Sequence, residues 1–242
     1  MGHSPGVTHL LKDLLAATER LAATVKAMTP EDLGRPSLLP GWTRAHVLTH
    51  IARNADGTRN LLLSVRSGHL VRMYASSATR AADIDAGAGR PADVIIADAL
   101  ESSRRFVVDA ECMPAERWAG QIAFGSVSAH PALIPAVRPV EMRLREVEFH
   151  HVDLGAGYTF ADSPEPLLSL LLDDTVTRLR GQGVTVNGPA RHGSDNWLVE
   201  LDDVSYTVGR ERPDILSWFS GRSTGDTLRA SQDRLPALPP LG

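Results

Sequence analysis

The chain has 242 residues, is 43% hydrophobic, and carries 25 Lys and Arg against 29 Asp and Glu for a formal net charge of −4. That is enough apolar content for one large domain or two modest ones, and an acidic balance without a dense basic block disfavours nucleic acid as a partner. Cys112 is the only cysteine, which excludes an internal disulfide, a CxxC redox pair and a cysteine-rich zinc site.

No apolar run approaches the roughly 18 residues of a membrane span. Met1-Gly-His-Ser-Pro-Gly6 lacks the basic and apolar regions of a secretory leader, so the expectation is a cytoplasmic protein without membrane partners. Leu10, Leu11, Leu14, Leu15, Leu21 and Val25 recur at helical spacing and predict a first helix from about Val7 to Met28, stopped before Thr29-Pro30. Thr43 is the N-cap candidate of a second helix that runs to about Ser67, where Gly68 closes it. The string from Asp83 to Pro91 reads as a loop, and Pro91-Ala-Asp opens a third helix to about Ala110. A fourth helical pattern covers about Pro139 to Leu154 and ends at Gly155-Ala-Gly157.

Four helices joined by unequal connections predict a helix bundle, whose sites are built from side chains on facing helices. Beyond residue 160 the pattern changes. A helix starts at Asp162-Ser163-Pro164-Glu165 and runs to about Leu179. Strand-like runs follow at Val184–Val186, Trp197–Leu201 and Ser205–Val208, and then a short helix at Pro213–Phe219. The fold class is therefore α+β, with a helical domain over residues 1–160 and a smaller α/β domain over 161–242, whose Pro-rich tail from Leu235 is expected to be loosely held.

The stretch Arg145-Glu-Val-Glu-Phe-His-His-Val-Asp-Leu154 holds two histidines and three carboxylates. On a helix it splits into faces. His151 falls among the aliphatic residues Leu144, Val147 and Leu154, whereas Glu146, His150 and Asp153 share a flank; Arg145 and Glu148 occupy a third, solvated side. A carboxylate and an imidazole four residues apart reach the same divalent ion, since their Cβ atoms are about 5–6 Å apart, although an ordinary surface Glu/His pair has the same spacing. A further ligand has to come from another helix. The second helix offers His46 and His50, also four apart, with His50 and Asn54 bordering its apolar stripe and His46 further out. A site on His46 and His50 alone is the rival, and HxxxH lacks the adjacent Glu of the HExxH pattern.

Three pieces, Leu39-Pro-Gly-Trp-Thr-Arg-Ala-His-Val-Leu-Thr-His50, Met73-Tyr-Ala-Ser76 with Arg80, and Arg143-Leu-Arg-Glu-Val-Glu-Phe-His-His-Val-Asp-Leu154, resemble the mycothiol-dependent maleylpyruvate isomerases of the DinB-like metal-binding superfamily. The resemblance implies a DinB-like four-helix bundle followed by a small α/β domain. It further implies zinc, or another divalent metal, on His50, Glu146 and His150, an essential arginine at Gly221-Arg222, and mycothiol as thiol cofactor. Arg80 and Asn54 are the further cofactor-binding or substrate candidates, and Asp153 is placed to orient a ligating imidazole. The implied activity is cis-trans isomerisation of maleylpyruvate to fumarylpyruvate in gentisate degradation by reversible addition of a zinc-bound thiolate; separately, the chain is expected to be a monomer. Two alternatives stay open: a mycothiol-dependent S-transferase and a non-catalytic metal-binding module.

Overall fold

The structure, a computed structural model, describes residues 5–124, 132–188, 196–232 and 234–240. Residues 1–4, part of the stretch in which a leader was sought, lie outside it. The chain divides between Ala156 and Gly157 into two compact units.

The first unit contains helices α1 (Pro5–Lys26), the one-turn α2 (Pro30–Leu33), α3 (Arg44–Ser67), α4 (Ser77–Ala88), α5 (Ala92–Glu111) and α6 (Arg138–Asp153). It also contains an antiparallel pair of strands, β1 (Gln121–Phe124) and β2 (Ala132–Pro135), in which Ile122 faces Ile134. Helices α1, α5, α3 and α6 pack in a ring, each against two others. The apolar stripe of α1 is buried through Leu14, Ala17, Leu21 and Val25, and that of α3 through Val47, Leu48, Ile51, Ala52 and Ala55. Helix α3 starts at Thr43, which has extended backbone, and ends at Gly68 in the left-handed region at φ 75°. Both ends follow from capping chemistry that the sequence displays.

Helix α4 departs from expectation, because it occupies most of the stretch from Asp83 to Pro91 read as a loop. The Ser76 hydroxyl caps it by accepting from the Thr79 amide at 3.0 Å, the run is rich in alanine, and Ile84 is fully buried. Gly87 lies inside the helix for a packing reason: a Cβ there would stand 2.4 Å from Thr49 Cγ2 on α3. On α3, Gly57 admits Met73 and Tyr74 in the same way, with a built Cβ 2.8 Å from the Tyr74 ring. Two glycines thus let the segment from Met73 through α4 lie close against α3, which positions Tyr74 and Arg80. The β1–β2 pair was not anticipated either; its strands are four residues each and mostly unburied, so they carry little periodic signal.

The second unit contains α7 (Glu165–Gly181), β3 (Thr185–Asn187), β4 (Asn196–Leu201), β5 (Val204–Gly209), α8 (Arg212–Phe219) and β6 (Arg229–Ala230). The strands form one antiparallel sheet in the order β3-β4-β5-β6. Asp202 and Asp203, both at positive φ, make the two-residue β4–β5 hairpin turn, as the right-handed twist of paired strands demands. Trp197, Val199, Val186 and Val208 from the sheet, Leu171, Leu172 and Leu179 from α7, and Ile215, Leu216 and Phe219 from α8 make the core, with the Trp197 and Phe219 rings edge to face at 5.4 Å. The Pro-rich tail is held more closely than expected. Leu235 occupies the space beside Gly225, where a Cβ would meet Leu235 Cδ1 at 2.8 Å, and Gln182 donates to the Pro240 carbonyl at 3.1 Å. Proline fixes φ beforehand, so docking an extended Pro-rich run loses little backbone entropy.

Among the described residues no helix is long and apolar enough to cross a membrane.

Candidate metal centre

Helix α3 brings His50, and α6 brings Glu146 and His150, to one point in the first unit. Their donor atoms lie within 4.8 Å of one another, and among the described residues this is the single such group of three or more potential metal ligands. His50 Nε2 is 3.0 Å from Glu146 Oε2 and 2.8 Å from His150 Nε2, and His150 Nε2 is 3.3 Å from the same carboxylate oxygen. The i to i+4 spacing on α6 sets the last distance; the packing of α3 on α6 sets the other two.

Around the three, each imidazole has a neighbour at its far nitrogen. His150 Nδ1 is 2.8 Å from Asp153 Oδ2, and Asp153 is fully buried. That contact places the proton on His150 Nδ1 and leaves the Nε2 lone pair aimed at the cluster. Arg80 Nη2 is 2.9 Å from His50 Nδ1, and the guanidinium crosses the Tyr74 ring 5.6 Å from its centroid. The Trp42 ring covers His50 at 5.7 Å between centroids.

The electrostatics suit a cation. Burial pushes His50 down to about 4, with the nearby His150 adding to the effect, so His50 is neutral at physiological pH. Burial disfavours the charged Glu146 carboxylate, but hydrogen bonds to His150 and His50 outweigh it and hold the group well below its ordinary value. Burial also opposes charge on His150, yet Asp153 and Glu146 prevail and raise it. Two imidazoles and one ionised carboxylate, one imidazole backed by a buried carboxylate, form a donor set able to hold a divalent cation. One contact works against ligation: arginine only donates, so in the arrangement described His50 accepts at Nδ1 and bears its proton on Nε2.

Arg80 also lines a cavity of about 500 Å³ with Leu61, Met73, Tyr74, Ser76 and Phe124. Its side chain therefore reaches from that cavity to the metal-ligand cluster.

Of the other sequence candidates, Asn54 is buried one turn beyond His50, where its Oδ1 accepts from Arg143 at 2.9 Å. His46 is the N3 residue of α3, its Nδ1 2.8 Å from the Thr43 hydroxyl in a capping interaction, and it stands outside the cluster. His151 is buried with Nε2 2.7 Å from Thr24 Oγ1. The third side of α6 is not solvated: Glu148 is fully buried, 2.7 Å from Arg20 of α1, and Arg145 lies over the Phe149 ring at 4.9 Å. The helical wheel gives directions but not neighbours, and α1 packs along that side. Arg222 belongs to the second unit, in the turn after α8, where its amide donates to the Ser217 carbonyl at 2.7 Å and its Nη1 to the Ser220 carbonyl at 3.0 Å. Trp42 and Arg143 were missed as parts of the site. For Arg143 a signal existed, since it precedes Glu146 by three residues and His150 by seven and so shares their flank of the helix.

The model of the mycothiol maleylpyruvate isomerase N-terminal domain matches residues 14–155. Two solved structures align over 100% of this chain and 100% of their own, each with a TM-score of 0.82. One is a mycothiol-dependent maleylpyruvate isomerase at 25% identity. The other is a histidine-to-alanine mutant of a mycothiol-dependent maleylpyruvate isomerase at 24% identity, a likeness that bears on the fold alone. No curated protein matches the sequence.

Proposed function

Because the chain belongs to the mycothiol maleylpyruvate isomerase family, we propose that it converts maleylpyruvate to fumarylpyruvate, with mycothiol as a cofactor that is returned unchanged. The observation that carries this reading is the convergence of His50, Glu146 and His150, from two helices, within 4.8 Å of one another.

These three residues would hold the divalent cation, zinc being the one their chemistry suits. Bound there, the cation supplies a positive charge that favours thiolate over thiol near neutral pH. The chain's own groups do the rest. Glu146 brings the negative charge, His50 stays neutral, and Asp153 holds the His150 ring with Nε2 facing the cluster. Arg80, at the cavity wall, presents a guanidinium suited to a carboxylate of the substrate or to a polar group of the thiol. Asn54 of α3, bonded to Arg143 of α6, links the two helices that carry the cluster.

Isomerisation then needs no net transfer. The thiolate sulfur adds to one carbon of the cis double bond and a proton goes to its neighbour. The resulting single bond rotates, and loss of the same proton and thiolate restores the double bond as trans. Arg222 is assigned to turnover and not to metal binding, a fork-shaped donor fit for a carboxylate or a developing enolate.

The deciding experiment is an assay of maleylpyruvate with and without mycothiol. Thiol-dependent formation of fumarylpyruvate with no loss of free thiol is expected; a stable thiol conjugate would make the protein an S-transferase, and no reaction would overturn the enzyme reading. His50→Ala is expected to lose both metal and activity, whereas Arg222→Ala keeps the metal and loses turnover. A metal-free His50→Ala protein that remains active would refute the assigned site.

A further inference from the structure

Arg143 is 1% exposed, the largest of the fully buried side chains. From α6 its Nη1 donates to the Ile51 carbonyl at 3.0 Å and to Asn54 Oδ1 at 2.9 Å, both on α3, and its Nη2 donates to Ser103 Oγ on α5 at 2.8 Å. Among the described residues no carboxylate lies within ion-pair distance of it. Burial pushes the guanidinium down to about 10, against the favourable charge of Glu146, so it remains a cation at neutral pH.

A buried charge without a contacting counter-charge is a poor way to gain stability, because apolar residues of similar volume hold helices together at least as well. What apolar packing lacks is direction. A planar fork with three donated hydrogen bonds fixes both the rotation and the sliding of one helix against another. The position of this fork is informative: Ile51 follows His50, Asn54 lies one turn after it, and Arg143 lies one turn before Glu146. The three acceptors tie α3 and α5 to α6 within a turn of the metal ligands.

We propose that Arg143 is a positioning residue of the metal centre, setting the register of α3 against α6 so that His50 meets Glu146 and His150 at ligand distance. This rests on the metal-centre reading above. Ligand sets tolerate misplacement of only about 0.5 Å, so a small slip between the helices registers as lost affinity before it registers as unfolding.

The test uses the full chain stripped of metal, titrated with zinc against a chelator and with cobalt(II), whose visible absorption reports ligand geometry. Arg143→Lys keeps the charge and loses the fork. It is expected to fold, to bind zinc about ten-fold more weakly, the scale seen when a ligand's support is removed, and to change the cobalt spectrum. The triple variant Arg143→Met, Asn54→Leu, Ser103→Ala replaces the polar cluster with apolar packing. It is expected to keep a urea midpoint near that of the parent while showing the same loss of affinity, a combination that a merely structural role would not produce. Parental zinc affinity and an unaltered cobalt spectrum in the folded Lys variant would overturn the role of Arg143 alone. A parent chain that takes up neither metal would overturn the metal-centre reading and this proposal with it.

Discussion

His150 Nδ1 lies 2.8 Å from Asp153 Oδ2, and the carboxylate is fully sealed from solvent. One turn of α6 therefore gives the imidazole a partner at each end: Asp153 takes the proton side and leaves Nε2 for the cluster. Asp153→Asn keeps the shape but weakens the acceptor, and is expected to reduce zinc affinity about 10- to 100-fold, the usual effect of removing such a partner. Chelator competition measures it, and an unchanged constant would mean that Asp153 only caps the helix end.

A cation held by the cluster would compete with Arg80 for the same histidine. The guanidinium donates to His50 Nδ1 at 2.9 Å, whereas ligation through Nε2 requires the proton to reside on Nδ1. Arg80→Met removes a hydrogen bond worth about 1 kcal/mol and is expected to tighten zinc binding about five-fold. If Arg80 also serves the proposed substrate, the same variant raises KM for maleylpyruvate. Weaker zinc binding in Arg80→Met would show that the arginine supports the metal-ligating form instead.

What the sequence reveals of the fold differs from residue to residue. The ends of α3 were legible because Thr43 and Gly68 have backbone roles that depend on local chemistry. The Glu146/His150 flank was legible because helical periodicity fixes which side chains share a direction. Glu148 was not, since its burial depends on α1, which approaches from more than a hundred residues away to place Arg20 against it. Helix α4 was hidden for a related reason. Gly87 reads as a loop residue until Thr49 is seen beneath it, and tertiary contact rather than propensity decides that turn.

Gly87 itself offers a check on that packing. Alanine in a helix interior ordinarily stabilises by about 1 kcal/mol relative to glycine. At Gly87 the added Cβ would fall 2.4 Å from Thr49 Cγ2, so α4 has to lift from α3. Gly87→Ala is expected to destabilise by about 1–3 kcal/mol, the range for overpacking, and to loosen the Arg80 contact with His50. Urea unfolding gives the first quantity. A variant more stable than the parent would mean that α4 does not lie as close as described.

The histidines also fix how stability changes with pH in the metal-free protein. His50 is held down to about 4 by burial, with His150 next in effect, against 6.5 when unperturbed. Below pH 6.5 the unfolded chain takes a proton that the folded chain refuses, so stability is fully present above 6.5 and declines as pH falls toward 4, by about 3 kcal/mol in all. His150 works in the opposite window. Raised by Asp153 and Glu146, its contribution is present below 6.5 and is lost as pH rises through its folded value. Urea midpoints of the metal-free chain should therefore peak near pH 6.5 and fall on both sides, with the acid limb steepening further as Glu146, held well below 4.5, is forced to protonate. A cation binds only the deprotonated ligands, so zinc should raise the midpoint most on the alkaline limb and its affinity should fall as His150 takes up a proton. In His50→Gln the decline between pH 6.5 and 4 should flatten while the alkaline limb persists; a parent chain with no acid decline over that interval would contradict the burial of a neutral His50.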